Sequence, residues 1–208
     1  MKKLLAVLLV IAGLCIAFYP RLQDLYNDYR TRRSLELFEE VREKSLPPVD
    51  SGGAAEEPLP AEAEDEAPEK SYSGPTPIAV LEIEKIDLKL PVLQGTSDYN
   101  LRFGAGLMED LAGIGEPGNT VLTAHRAHTY GRLFNRLDKL EAGDIIVITT
   151  TEESFSYKVE QTHIVEATDT SVLASEPGDY LLTLITCHPL YKRNPSQRLV
   201  VQARLQQN

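Results

Sequence analysis

The stretch "LLTLITCHPL", residues 181–190, decides how this chain is read. Leu181, Leu182, Leu184 and Ile185 ask for burial, and Pro189 ends the strand two residues after Cys187. Only two cysteines occur in 208 residues, and this one sits at a strand end with a histidine beside it. A bland reading makes Cys187 a small hydrophobe in a core. A chemical reading makes it a nucleophile that a rigid strand carries to the surface.

Cys15, the other thiol, lies inside the apolar N-terminal run, so the two do not form a disulfide framework. An unpaired cysteine in a domain outside the cytoplasm is a liability unless it has work to do. The net charge of −10 and the lack of a basic stripe with interleaved aromatics argue against a nucleic-acid surface. With 42% hydrophobic and 25% charged residues the composition is that of a globular protein, but much of the acidity is concentrated in one proline-rich segment.

Four segments follow. Residues 1–20 carry Lys2 and Lys3, an apolar run from Leu4 to Tyr19, and Pro20. The run is short for a spanning helix and long for a signal-peptide core. Leu14 before Cys15 does not suit a lipoprotein site, and an uncleaved signal-anchor is expected. Its N-terminus is placed inside the cell and the rest of the chain outside, although Arg21, Arg30, Arg32 and Arg33 run against the positive-inside tendency. Residues 21–44 show Leu22, Leu25, Tyr26, Tyr29, Leu37, Phe38 and Val41 at helical spacing, either a packed juxtamembrane helix or a solvated stalk. Residues 45–71 are rich in proline, alanine, glycine and glutamate, with little to bury, and read as an extended linker.

Residues 72–208 read as β throughout. "IDLKLPV" (86–92) sets Ile86, Leu88, Leu90 and Val92 against Asp87, Lys89 and Pro91, and its proline suggests an edge. "SFSYKVE" (154–160) alternates in the same way, and "NTVLTA", "DIIVIT", "YLLTLITC" and "RLVVQARL" add strands. Gly-Asp marks two turns, and short helices are expected at 97–103 and 133–140. Seven or eight short strands in this length indicate a closed barrel or a sandwich.

Cysteine catalysis needs a thiolate, an acid for the leaving amine and a donor for the developing oxyanion. His125 ends "NTVLTAH" at a strand end like that of Cys187. His163, within the strand-like "EQTHIVEA", reads as structural, and His128 and His188 as flanking residues. The cationic candidates are Arg126, Arg132, Arg136, Arg193, Arg198 and Arg204. Arg198 opens "RLVV", so a hairpin after Cys187 would return it beside the thiol. A rival constellation, zinc on His125, His128, Cys187 and His188, has ligand-like spacing only between the first two.

"TLITC" ending one strand, "TAH" ending an earlier one and an arginine opening the strand after the cysteine resemble the sortases, cysteine transpeptidases of Gram-positive bacteria. The likeness spans about residues 78–205, including "LEIEKIDLKLPVLQG" and "TAHRAHTYGRLFNRLDKLEAGD". It implies an eight-stranded sortase-type β-barrel with short helices, tethered outside the cell membrane by the N-terminal helix. It implies Cys187 as nucleophile, His125 as general acid and base, and Arg198 as stabiliser of the oxyanion or substrate. Thr186, Ala124 and His188 would contact substrate, and residues 161–180 would supply its pocket. The implied partners are surface proteins bearing an LPxTG-like sorting signal and an amine acceptor, either a peptidoglycan precursor or a pilin. No metal or organic cofactor is required. "HTYGRLFNRLD" and a single N-terminal anchor look like class D. "TAHR" and "YPRLQDLYNDYR" resemble the pilus-building class C, but no Asp-Pro-aromatic lid motif is present and the chain stops at Asn208. The competing non-enzymatic reading is a membrane-tethered β-barrel that binds a partner, with Cys187 merely buried.

Overall fold

The computed structural model describes residues 2–45, 76–127, 129, 132–192 and 194–206. The linker and the chain around His128 and Arg193 lie outside these residues. Eight strands form one closed barrel: β1 (Pro77–Ile83), β2 (Leu88–Gln94), β3 (Ala105–Leu107), β4 (Gly118–Thr123), β5 (Ile145–Thr150), β6 (Ser154–Glu166), β7 (Tyr180–His188) and β8 (Gln197–Leu205). Around the barrel their order is β1-β2-β3-β4-β7-β8-β6-β5. The pairs β2/β3 and β4/β7 are parallel and the other pairs antiparallel.

Alternation builds the interior. Leu81 and Ile83 of β1, Leu122 of β4, Ile148 of β5, Leu182 and Leu184 of β7 are all fully buried in one core. Each such aliphatic side chain contributes roughly 1.5–3 kcal/mol by leaving water. Gly143 and Gly178 of the two Gly-Asp turns have φ of +100° and +90°, a region that disfavours any side chain with a Cβ.

Three expectations change. Pro91 does not lie at an edge: β2 runs between β1 and β3, and Pro91 is buried. It is tolerated because β3 begins to pair only at Val92, so nothing in β3 asks Pro91 for an N–H. The segments 97–103 and 133–140 contain only single 3-10 turns, Asn100–Arg102 and Leu137–Lys139. Finally, "SFSYKVE" and "EQTHIVEA" form one strand, β6, with a register shift between Val159 and Gln161.

The N-terminal helix α1 (Lys2–Ser45) is continuous and contains Pro20. Among the described residues no helix is long and apolar enough to cross a membrane. The C-terminal half of α1 docks on the barrel. Phe38 is 2% exposed, Thr31 Oγ1 donates to the Phe103 carbonyl at 2.9 Å, and Arg132 pairs with Asp24 at 2.6 Å and Asp28 at 2.7 Å. The side chains of Ile11, Leu14, Ile16 and Phe18 are at least half exposed.

Candidate active site

Strand order places the candidate residues. β4 runs parallel to β7 with Thr123 opposite Ile185, so two residues further on His125 reaches the level of Cys187. β8 runs antiparallel to β7 with Cys187 directly opposite Arg198, and β6 sets Val165 opposite Arg198. Side chains at one level across a sheet share a face. Leu182 and Leu184 point into the core, so Cys187 points outward. His125, Cys187, Arg198 and Val165 therefore form one lateral row on the outer face. The row beneath is Thr123, Ile185, Val200 and His163.

Cys187 is a free thiol, partly exposed. Arg198 Nη1 donates to the Pro195 and Gln197 carbonyls, both at 2.9 Å, which fixes the guanidinium over the chain that leads into β8. Among the described residues its Nη2 and Nε have no hydrogen-bond partner, so they remain able to meet an oxyanion. The His125 carbonyl accepts from the Phe134 N–H at 3.1 Å, which pins the start of the loop after β4.

Thr186 and Ala124, expected to contact substrate, belong to the opposite face. Thr186 is 2% exposed, Ala124 is buried, and Thr186 Oγ1 donates to the Ala124 carbonyl at 2.8 Å. Both sit behind the row, where the strand alternation turns them into the barrel. His188 is partly buried, and its Nδ1 lies 2.9 Å from Arg126 Nη1. A guanidinium only donates, so Nδ1 accepts and the ring proton of a neutral His188 sits on Nε2. The Arg126 side chain is only 6% exposed, and its Nη2 meets Asp138 at 3.1 Å. Burial works against the Asp138 carboxylate, but a hydrogen bond from Lys139 and the charge of Arg126 outweigh it and keep its pKa below the ordinary value. Arg126, the residue after His125, thus meets His188, the residue after Cys187.

Beside the row the sheet is covered by the segment 167–179 between β6 and β7. A cavity of about 140 Å³ opens there, lined by Val165, Val172, Leu173, Ile185, Val200 and Arg198 among others. Sequence reasoning pointed to 161–180 without naming residues, and it missed Asp138 and Asn119 altogether. Asn119 shares β4 with Thr120 and Thr123, and Thr183 shares β7 with Thr186, so neither polar side chain stands out in the sequence.

A nucleophile-capable thiol, an imidazole and a guanidinium at the adjoining ends of β4, β7 and β8 in a closed eight-stranded barrel agree with the comparison to known proteins. The Sortase domain family model matches residues 81–206. The chain belongs to the sortase family. As a sortase it is a cysteine transpeptidase. It is 29% identical to Sortase D of Bacillus subtilis over 202 residues, 97% of each chain. Among solved structures it is similar to a Clostridium perfringens Sortase D5 transpeptidase, with 30% identity, a TM-score of 0.56, and coverage of 64% of this chain and 80% of that one. It is also similar to Streptococcus pneumoniae Sortase C, with 34% identity, a TM-score of 0.59, and coverage of 63% of this chain and 67% of that one.

Proposed function

We propose that Cys187 is the nucleophile of this sortase, His125 its general acid and base, and Arg198 its oxyanion donor, acting on an LPxTG-like sorting signal. The observation that carries this reading is the outer-face row of His125, Cys187 and Arg198 beside an apolar cavity. The Cys187 thiolate attacks the carbonyl carbon of the scissile peptide, and the carbonyl oxygen takes up the negative charge near Arg198. When the tetrahedral centre collapses, the C–N bond breaks and the leaving amine takes a proton from the His125 imidazolium. The product is a thioester on Cys187 and neutral His125. An incoming amine then attacks the thioester carbonyl and gives its proton to His125, and the thiolate leaves. Thiolate is a minority form of an ordinary cysteine at neutral pH, and cationic neighbours favour it.

The leucine and proline of the signal fit the apolar cavity walled by Val172, Leu173, Ile185 and Val200. The match to Sortase D over 97% of both chains supports a class D-like enzyme that anchors surface proteins to a cell-wall amine, rather than a class C-like pilin polymerase. Although α1 does not reach the apolar length of a spanning helix, we read the apolar run that ends at Tyr19 as a membrane anchor with the barrel outside the cell. The exposed Ile11, Leu14, Ile16 and Phe18 support that role.

Ligation by the full chain in detergent micelles tests this reading. Peptides with an LPxTG-like core are offered with a peptidoglycan-like diamine or with a pilin-type lysine peptide. Transfer to the cell-wall amine is expected. Transfer only to the pilin lysine makes the enzyme a polymerase, and no ligation with any pair removes the substrate assignment.

A further inference from the structure

The outer face of the barrel carries a buried polar group that the chemistry does not use. Asn119, on β4 and six residues before His125, is 2% exposed. Its Nδ2 donates to the Val172 carbonyl at 3.0 Å and to the Ala174 carbonyl at 3.4 Å. Its Oδ1 accepts from the Thr183 hydroxyl at 2.8 Å, and Thr183 is 0% exposed. Carbonyls only accept, so these partners fix the orientation of the amide. A buried amide satisfied on both ends is costly to disturb, because each group left without a partner keeps its full desolvation penalty.

What the amide holds is the wall of the cavity. Val172 and Leu173 belong to the 3-10 turn Ser171–Leu173, and both line the cavity together with Ile185, Val200 and Arg198. The turn's own backbone bonds are local: Leu173 N–H to the Thr170 carbonyl and Ala174 N–H to the Ser171 carbonyl. The ends of the segment are tied down separately, by Ala167 N–H to the Ser196 carbonyl and by Gly118 N–H to the Asp179 carbonyl, both at 2.6 Å. Between those ends, among the described residues, Asn119 is the hydrogen-bonding tie from the turn to the barrel.

The geometry points to Asn119, braced by Thr183, as the positioning residue that sets substrate selectivity. This rests on the sorting-signal reading above. With the peg in place, the distance from Val172 and Leu173 to Ile185 and Val200 is fixed, and the cavity accepts a branched aliphatic side chain in one pose. Without it the turn drifts outward and a leucine gains little over an alanine. Asn119 lies two residue levels below Thr123 and away from the row of His125, Cys187 and Arg198, so the chemical step is spared.

The test uses the full chain in detergent and two peptides that differ only in leucine or alanine at the first signal position. Asn119→Asp keeps the shape but loses both donors, and Thr183→Val keeps the volume but loses the brace. For Asn119→Asp the KM of the leucine peptide should rise about tenfold with kcat within about twofold, and the leucine-to-alanine preference should fall by a similar factor. Thr183→Val should shift the same quantities in the same direction by about threefold. An unchanged preference in a folded variant overturns the proposal, as does an equal loss of kcat on both peptides. Hydrogen–deuterium exchange of the Leu173 and Ala174 amides reads the peg without any substrate. It must quicken in Thr183→Val, and unchanged exchange overturns the proposal even if the wild-type enzyme takes neither peptide. Quickened exchange in an enzyme inactive on both peptides supports the peg and counts against the sorting-signal reading alone.

Discussion

Thr186 Oγ1 donates to the Ala124 carbonyl at 2.8 Å, and each of these residues immediately precedes a member of the proposed catalytic row. The bond joins β7 to the end of β4 at the level where regular pairing stops: the last backbone tie there is Ala124 N–H to the Ile185 carbonyl at 3.3 Å. Thr186 therefore sets the spacing of Cys187 and His125 from inside the barrel. Thr186→Val keeps the shape and strands the buried carbonyl. It should cost about 1–2 kcal/mol in chemical denaturation, with a further loss in ligation rate, and Thr186→Ser should restore both.

Arg126 performs a related task across the barrel mouth by holding His188 and Asp138 together. Arg126→Met leaves the Asp138 carboxylate and the His188 ring without their shared donor. A stability loss of about 2–3 kcal/mol is expected, with kcat/KM about tenfold lower as the segments after β4 and β7 lose register. Lysine has one compact charge in place of a planar fork, so Arg126→Lys should recover only part of either quantity. Equal stability of Arg126→Met and wild type would remove Arg126 from this role.

The pH dependence of the turn Ser171–Leu173 follows from Asp169. The Ser171 hydroxyl and backbone N–H both donate to its carboxylate, at 2.6 and 2.9 Å. The hydroxyl bond is the largest influence and the N–H bond the next. Burial opposes them weakly, the His163 charge assists, and the net effect lowers the Asp169 pKa from 3.8. The bonds therefore contribute fully above the unfolded value and are lost as pH falls through the lower folded value. Exchange of the Ser171 amide, corrected for its intrinsic rate, should stay slow down to about pH 4 and quicken below it. Asp169→Asn should abolish that pH step.

Phe38 is the buried anchor of α1 on the barrel. Phe38→Ala should weaken the docking by about 3–4 kcal/mol, read as faster amide exchange over residues 30–42 with the β7 and β8 amides still protected. Unchanged exchange in α1 would mean that its ion pairs to Arg132 hold it without Phe38.

β7 and β8 were legible because each is a long apolar alternation with a clear end. Pro189 follows the end of one and Gln197 opens the other, and the pairing of Cys187 with Arg198 follows from the hairpin between them. β3 has three residues and carries no period to read. The register shift after Val159 moves the inward set of β6 by one position, which makes one strand look like two. The resemblance implies substrate contact for Thr186 and Ala124, whereas alternation counted from Leu184 and Leu122 places both inside the barrel. Asn119 is a polar residue in a strand that also carries Thr120 and Thr123, which alone reads as solvent exposure. Only the fold of the segment 167–179 over the outer face shows that it is buried and bonded.

On the proposed mechanism Cys187 carries the acyl group. The full chain is mixed with an LPxTG-like peptide in the absence of an amine acceptor, and its proteolytic fragments are weighed for a thioester that hydroxylamine releases. This mechanism gives an adduct on the fragment containing Cys187, none on the fragment containing Cys15, and none in Cys187→Ala. Ligation that persists in Cys187→Ala, or an adduct confined to Cys15, would contradict it.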